Sequence, residues 1–233
     1  KEQMAQNVSH ELRTPLTQIM GYTELLAEGL LGQLDAEQSQ TAQIILGRAR
    51  ALNRLIDTLF TYEMLDGDKF HWQTVNVTDL ATEMVVEWQE TVSQQGLALC
   101  LETTEEAVLV RADPDRLRQV CDQLIENALK YTNPGGRVTL HVASQDDEAH
   151  LDVSDTGEGI PPDLLETIFK RLYQVDEAKK TVAHRGRGIG LALVQRIVEL
   201  HGGRVWAESD GVAGHGTTFH IRLPLATTTA TPS

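Results

Sequence analysis

The chain has 233 residues, 41% of them hydrophobic, enough to bury a core in one large or two small domains. Its 34 acidic residues outweigh 20 basic ones, and the net charge of −14 excludes the basic stripe that a nucleic-acid surface needs. Cys100 and Cys121 lie in apolar stretches without a Cys-x-x-Cys spacing, so free buried thiols are expected rather than a disulfide or a metal site.

Residues 1–28 read as a helix, with Met4, Val8, Leu12, Leu16, Ile19 and Leu26 recurring at helical spacing. Gly29 and Gly32 bracket a turn, and a second helix runs from Asp35, an N-cap, to about position 65 on the stripe Ile45, Leu52, Leu55, Ile56, Leu59. Two helices joined this way form an antiparallel hairpin that cannot bury a two-sided stripe alone. Pairing two hairpins into a four-helix bundle solves this, which predicts a homodimer. Residues 65–68 read as a linker. Beyond it, strand-like runs at 74–77, 97–102, 108–112, 137–143, 150–154, 204–208 and 217–223 intersperse with helical runs at 78–95, 113–131, 162–169 and 188–202. Strands come in adjacent pairs, with 137–154 a hairpin, which favours helices on one face of a mixed sheet over a doubly wound parallel sheet.

The expected class is therefore α+β. A helical hairpin over 1–66 is followed by an α/β sandwich with helices packed on a mixed β-sheet over 67–225, and by a disordered Thr/Ala-rich tail over 226–233. No apolar run reaches the length of about 18 residues that a membrane span requires, and no signal peptide is present. The sequence begins mid-pattern at Lys1, so it reads as a piece of a longer protein. A cytoplasmic location and no membrane contact are expected of the piece, whatever anchors its parent.

Two regions carry chemistry. His10 and Glu11 lack the second His, four residues after the first, of a zinc-protease helix, because position 14 is Thr14. A surface histidine with a chance acidic neighbour is one reading. The other is a nucleophile: a neutral imidazole whose tautomer a carboxylate fixes presents a free lone pair. Thr14 lies one turn along on the same face, and Pro15 within the helix costs about 3 kcal/mol. Downstream come Asp155-Thr-Gly157-Glu-Gly159, Gly186-Arg-Gly188-Ile-Gly190 and Gly214-His-Gly216-Thr217. Neither a P-loop nor a Gly-x-Gly-x-x-Gly turn is present. Glycines at the start of a helix let backbone N–H groups approach phosphates, a weak signal by itself.

Together these segments resemble the two-component sensor histidine kinases. Ser9-His10-Glu11-Leu12-Arg13-Thr14-Pro15-Leu16 is similar to that family's H-box, Gln123-Leu-Ile-Glu-Asn127-Ala-Leu-Lys130-Tyr131-Thr132 to its N-box, and Asp155-Thr-Gly157-Glu-Gly159 to its G1 box. Ile168-Phe169-Lys-Arg171-Leu-Tyr173 resembles the F-box and Gly186-Arg-Gly188-Ile-Gly190-Leu191 the G2 box. The resemblance implies a gyrase-type ATP-binding sandwich, autophosphorylation of His10 by ATP, and transfer to an Asp of a response-regulator receiver domain. It implies His10 as acceptor, Glu11 as general base, and Glu11 with Thr14 as a phosphatase pair. Asn127 would hold Mg²⁺, Lys130 and Arg171 contact phosphate, Tyr131 pack on the nucleotide, and Asp155 accept the adenine amino group. Gly157 and Gly159 would make room for the base, while Gly186, Gly188, Gly190, Leu191 and Thr217 line the triphosphate. Residues 174–185 would form a mobile lid.

Departures from the pattern are Gln123 for Asn, Leu172 and Gln174 for Phe and Arg, and Arg187 for a small hydroxyl residue. Leu172, Gln174 and Arg187 keep open an ATP-binding regulatory scaffold with weak transfer, while Glu11 and Thr14 keep open a mainly phosphatase-acting member.

Overall fold

The computed structural model describes residues 2–65, 70–170 and 189–226, with the side chains of residues 2–13 and of part of 51–64 outside the description. Two compact units emerge, Lys1–Asp68 and Lys69–Ser233. Among the described residues no helix is long and apolar enough to cross a membrane.

The first unit is a hairpin of α1 (Glu2–Ala27) and α2 (Ala36–Met64). Gly29 turns the chain at φ 73°, a conformation that favours glycine. Asp35 caps α2 reciprocally: its Oδ1 accepts the Gln38 N–H at 2.8 Å while the Gln38 Oε1 accepts the Asp35 N–H at 3.1 Å. The helices run antiparallel, because Leu16 packs with Ala49 and Ile56 while Glu24 meets Arg50 at 2.7 Å. The expected apolar stripe divides. Leu16 and Ile56 are buried between the helices, whereas Ile19, Leu26, Ile45 and Leu52 are exposed. Leu55 and Leu59 lie outside the described side chains.

The second unit contains β1 (Gln73–Asn76), α3 (Val77–Gln94), β2 (Ala98–Thr103), β3 (Leu109–Ala112), α4 (Pro114–Tyr131), β4 (Arg137–Gln145), β5 (Glu148–Asp155), α5 (Gly190–Leu200), β6 (Arg204–Glu208) and β7 (Thr218–Pro224). A mixed five-stranded sheet has the order β2-β4-β5-β7-β6, with β2 parallel to β4 and the other pairs antiparallel. β1 and β3 form a separate two-stranded ribbon, which strand patterning alone did not distinguish from the main sheet. β5 alternates half-buried and buried positions along its whole length, so one face looks into the core. There Leu140, Leu151, Val153, Phe219 and Ile221 meet a helical layer carrying Met84, Leu124, Ile125, Leu193 and Ile197.

Caps fix the helix starts. Asn76 accepts from Thr78 N at the head of α3, and Asp113 from Asp115 N and Arg116 N at the head of α4, with Pro114 at the first helical position. Cys121 is buried and its thiol is pushed up to about 12 by burial; Cys100 is half-buried, and both are free.

The helix expected over 162–169 is a correction. Only Pro162–Leu164 forms a single 3₁₀ turn. The Thr167 hydroxyl donates to the Leu164 carbonyl at 2.8 Å, competing with the helical ladder. Consecutive Ile168 and Phe169 are both buried, which a one-faced amphipathic helix does not favour, and Phe169 meets Phe219 edge-on at 6.3 Å. At the C-terminal end Ala226 still donates to the Leu109 carbonyl at 2.8 Å, so an ordered contact extends into the expected tail.

Candidate functional site

The C-terminal end of α4, the turn after β5 and the β6–β7 loop converge. Asp155, the last residue of β5, is buried, and its backbone N–H donates to the Thr217 carbonyl at 2.9 Å. Its Oδ1 accepts from Gly157 N at 2.8 Å and from Thr217 N at 3.3 Å. Among the described residues these are its side-chain bonds, so Oδ2 is left as an acceptor without a protein donor. Burial pushes the Asp155 carboxyl up, and the two N–H donors pull it back.

Close backbone approach explains the glycines. A Cβ at Gly157 would lie 2.3 Å from the Tyr131 carbonyl oxygen, and one at Gly216 would lie 1.8 Å from the Asp155 carbonyl oxygen. Glu158 N donates to that same Tyr131 carbonyl at 3.1 Å, pinning the turn to the end of α4. Gly159, at φ 73°, faces Ser209 and Gly211 of the β6–β7 loop. Gly216 and Ser209 were not singled out as site residues from sequence, although the spacing Gly-x-Gly-Thr carried the signal for the first.

Lys130 and Tyr131 occupy the last turn of α4. The Lys130 Nζ donates to the Tyr131 hydroxyl at 2.6 Å and sits 4.2 Å from the ring centroid. No described carboxylate pairs with it, and burial pushes its pKa down to about 8. Burial also raises the Tyr131 phenol, with Glu158 adding to the effect. Asn127, one turn earlier, is half-buried. Among the described residues no group of His, Cys, Asp and Glu is placed to hold a metal ion by itself.

Gly190 and Leu191 begin α5, whose N-cap Ile189 supplies no side-chain hydrogen bond. The Gln123 amide fills the space at this helix start, its Oε1 lying 2.4 Å from where a Gly190 Cβ would be. Arg171, Gly186, Gly188 and the expected lid at 174–185 lie outside the described residues. In the other unit His10 and Glu11 belong to α1 with their side chains outside the description, and Thr14 is exposed one turn further on.

Both units match known families. Residues 1–68 match the His Kinase A (phospho-acceptor) domain, and residues 112–227 match the histidine kinase-, DNA gyrase B- and HSP90-like ATPase family. The chain belongs to the sensor histidine kinases, as their catalytic core. Its curated relatives include sensor protein SrrB of Staphylococcus aureus, 34% identical over 226 residues. That match takes in 96% of this chain but 38% of the relative's length. Among solved structures, full-length ShkA in complex with AMPPNP is similar at TM-score 0.78 and 27% identity, over 99% of this kinase core and 47% of that chain. Histidine kinase ThkA in complex with the response regulator protein TrrA is similar at TM-score 0.65 and 25% identity, over 96% of this core and 61% of that chain.

Proposed function

We propose that this kinase core binds ATP at the Asp155 site, phosphorylates His10, and passes the phosphoryl group to an Asp of a response-regulator receiver domain. The observation that carries the reading is the Asp155 carboxylate. Two backbone N–H groups fix Oδ1, and Oδ2 remains as an acceptor without a described donor, suited to the adenine amino group. A 6-oxo purine would instead present an acceptor there and be rejected. Tyr131 offers a ring beside the pocket, and Lys130 a cation with no carboxylate partner among the described residues, for the phosphates. The uncapped start of α5 at Gly190 and Leu191 offers backbone N–H groups to the triphosphate. By the family resemblance Arg171, Gly186 and Gly188, which lie outside the described residues, would add phosphate contacts, with Thr217 nearby.

Asn127 would hold Mg²⁺ through its amide oxygen, the remaining ligands coming from phosphate and water, and the ion would neutralise phosphate charge. At His10 one ring nitrogen, deprotonated and neutral, attacks the γ-phosphorus. The N–P bond forms as the bond to the β–γ bridging oxygen breaks, and ADP leaves with those electrons. Glu11 fixes the opposite N–H and takes the proton made acidic by transfer. Complexes with AMPPNP and with a response regulator among the similar structures support both halves of the scheme. The phospho-acceptor and ATPase family models on the two units, with a similar histidine kinase solved in complex with a response regulator, favour kinase activity over the weakly transferring scaffold and the mainly phosphatase-acting member.

The hairpin supports a homodimer. Ile19, Tyr22 and Leu26, spaced along one face of α1, and Ile45 and Leu52 of α2 are exposed, an apolar surface that a second hairpin would cover. The domains proposed are a dimerisation and phosphotransfer hairpin over 1–66 and an ATP-binding domain over 67–225.

The test is incubation with γ-labelled ATP. Acid-labile, alkali-stable label should appear on the wild-type chain and be absent from His10→Gln, which keeps its nucleotide affinity. Label on the His10→Gln protein would place the acceptor elsewhere.

A further inference from the structure

The β6–β7 loop is built from conformations that are costly to order. Gly211, Gly214 and Gly216 sit at φ 74°, 92° and 73°, and glycine loses the most conformational freedom on folding. Yet this loop supplies the wall behind Asp155. Gly214 N donates to the Gly157 carbonyl at 2.8 Å, Thr217 N reaches Asp155 Oδ1, and Gly216 abuts the Asp155 backbone. Ser209 ties the base of the loop, its hydroxyl donating to the Gly216 carbonyl at 2.7 Å and accepting from Ile160 N at 2.9 Å.

The tip has a tie of its own. His215 Nδ1 lies 2.7 Å from Asp210 Oδ2 across five residues, and Asp210 Oδ1 accepts from Val212 N at 2.9 Å. His215 N in turn donates to the Val212 carbonyl at 3.0 Å. Both side chains are exposed, and neither touches Asp155, so the pair acts only through the glycine backbone between them. Gly214 and Gly216, the residues that bear on Gly157 and Asp155, flank His215 on either side.

We propose that Asp210 and His215 are positioning residues for base recognition. By closing the tip of the loop they hold Gly214, Gly216 and Thr217 against the Gly157 turn and so keep the Asp155 carboxylate aimed at the 6-position of the purine. The proposal rests on the adenine reading of the Asp155 site and adds to it a determinant outside the pocket. An exposed pair contributes little to global stability, so its effect should fall on ligand selectivity rather than on folding.

The experiment compares equilibrium binding of ATP and ITP, which carries a 6-oxo group in place of the amino group, to the wild-type chain and to His215→Ala, Asp210→Ala and His215→Asn. Amide hydrogen exchange at Gly214 is followed without nucleotide. His215→Ala and Asp210→Ala should weaken ATP binding by about threefold to fivefold, the range an exposed pair supports. ITP binding should change less, so that the ATP-to-ITP ratio shrinks, Gly214 exchange should quicken, and the melting temperature should hold. His215→Asn retains a side-chain donor and should recover part of the ratio. Equal losses for both nucleotides, or unchanged Gly214 exchange, would overturn the positioning role while leaving the adenine site intact. A wild-type chain with no preference for ATP over ITP would overturn the adenine reading itself, and the positioning role with it.

Discussion

Replacing Asp155 by Asn separates recognition from folding. The amide oxygen of Asn can still accept from Gly157 N and Thr217 N, the two bonds that orient the side chain, so the turn should stay formed. What changes is the outward-facing atom, from an ionised acceptor to an NH₂ donor that meets the donor N–H of adenine. A hydrogen bond to a charged group contributes about 1.5–3 kcal/mol, so ATP affinity should fall by about 10- to 150-fold. The new donor matches a 6-oxo group, so ITP should lose less or gain, reversing selectivity. Stability should move the other way. Burial disfavours the Asp155 carboxylate, and removing that charge should leave the melting temperature unchanged or higher without nucleotide. Calorimetric titration with both nucleotides, paired with thermal denaturation of the free protein, reads both effects. A parallel loss of ATP affinity, ITP affinity and melting temperature would refute the reasoning, because it would make Asp155 a structural residue.

Two further perturbations test neighbouring parts of the site. Lys130, at about 8 in the free protein, should be pulled up by bound phosphate. ATP affinity should therefore be level below neutral pH and fall as pH rises through about 8, while the stability of the free protein rises between about 8 and the ordinary lysine value of 10.5, because the unfolded chain binds the extra proton there. Loss of both pH dependences in Lys130→Met would assign them to this residue, and their persistence would not. Gly216→Ala places a Cβ against the Asp155 carbonyl, at a φ of 73° that alanine disfavours, and should cost about 3 kcal/mol or more in chemical denaturation. Gly190→Ala meets only the movable end of the Gln123 side chain and should cost about 1 kcal/mol or less. The reverse order would contradict the close backbone approach at Gly216.

Local signals were the legible part of this chain. Asp35 announced the start of α2 because side-chain capping is written within a few residues. The adjacent strand-like runs over 137–154 announced the hairpin that β4 and β5 form. Pairing was less legible. The runs that became β1 and β3 look like those of the main sheet, and their separation depends on contacts such as Val77 N to the Val108 carbonyl that no spacing encodes. The segment at 162–169 failed for a related reason, since its apolar residues serve the core in succession rather than at helical intervals. At the site, an Asp before Thr-Gly reads as an ordinary turn acid. Its identity as a held acceptor depends on Thr217, 62 positions away, which only the family resemblance connected to it.

The helical frame would let the loops carry the proposed selectivity. α4 ends at Lys130 and Tyr131 and is capped at its start by Asp113, whose N–H donates to His201 Nε2 at 3.0 Å. His201 follows α5 directly and commits its other nitrogen to the Ile197 carbonyl at 2.8 Å, which requires the proton to sit on Nδ1. Asp113 Oδ2 accepts from His71 N, and the rings of Phe70 and Trp72 pack on the imidazole at 5.3 and 4.9 Å. The start of α4 and the end of α5 are therefore fastened together at the end of the helix pair remote from Gly190 and Tyr131. Protonating His201 would set an N–H against the Asp113 N–H, and burial lowers its pKa accordingly. This fastening contributes stability that is present above the ordinary histidine range and lost as pH falls below it. Because the frame is fixed at that remote end, small displacements of the glycine turns at the near end need not disturb the core. Selectivity for the base can then be adjusted by surface residues such as Asp210 and His215 without loss of the fold.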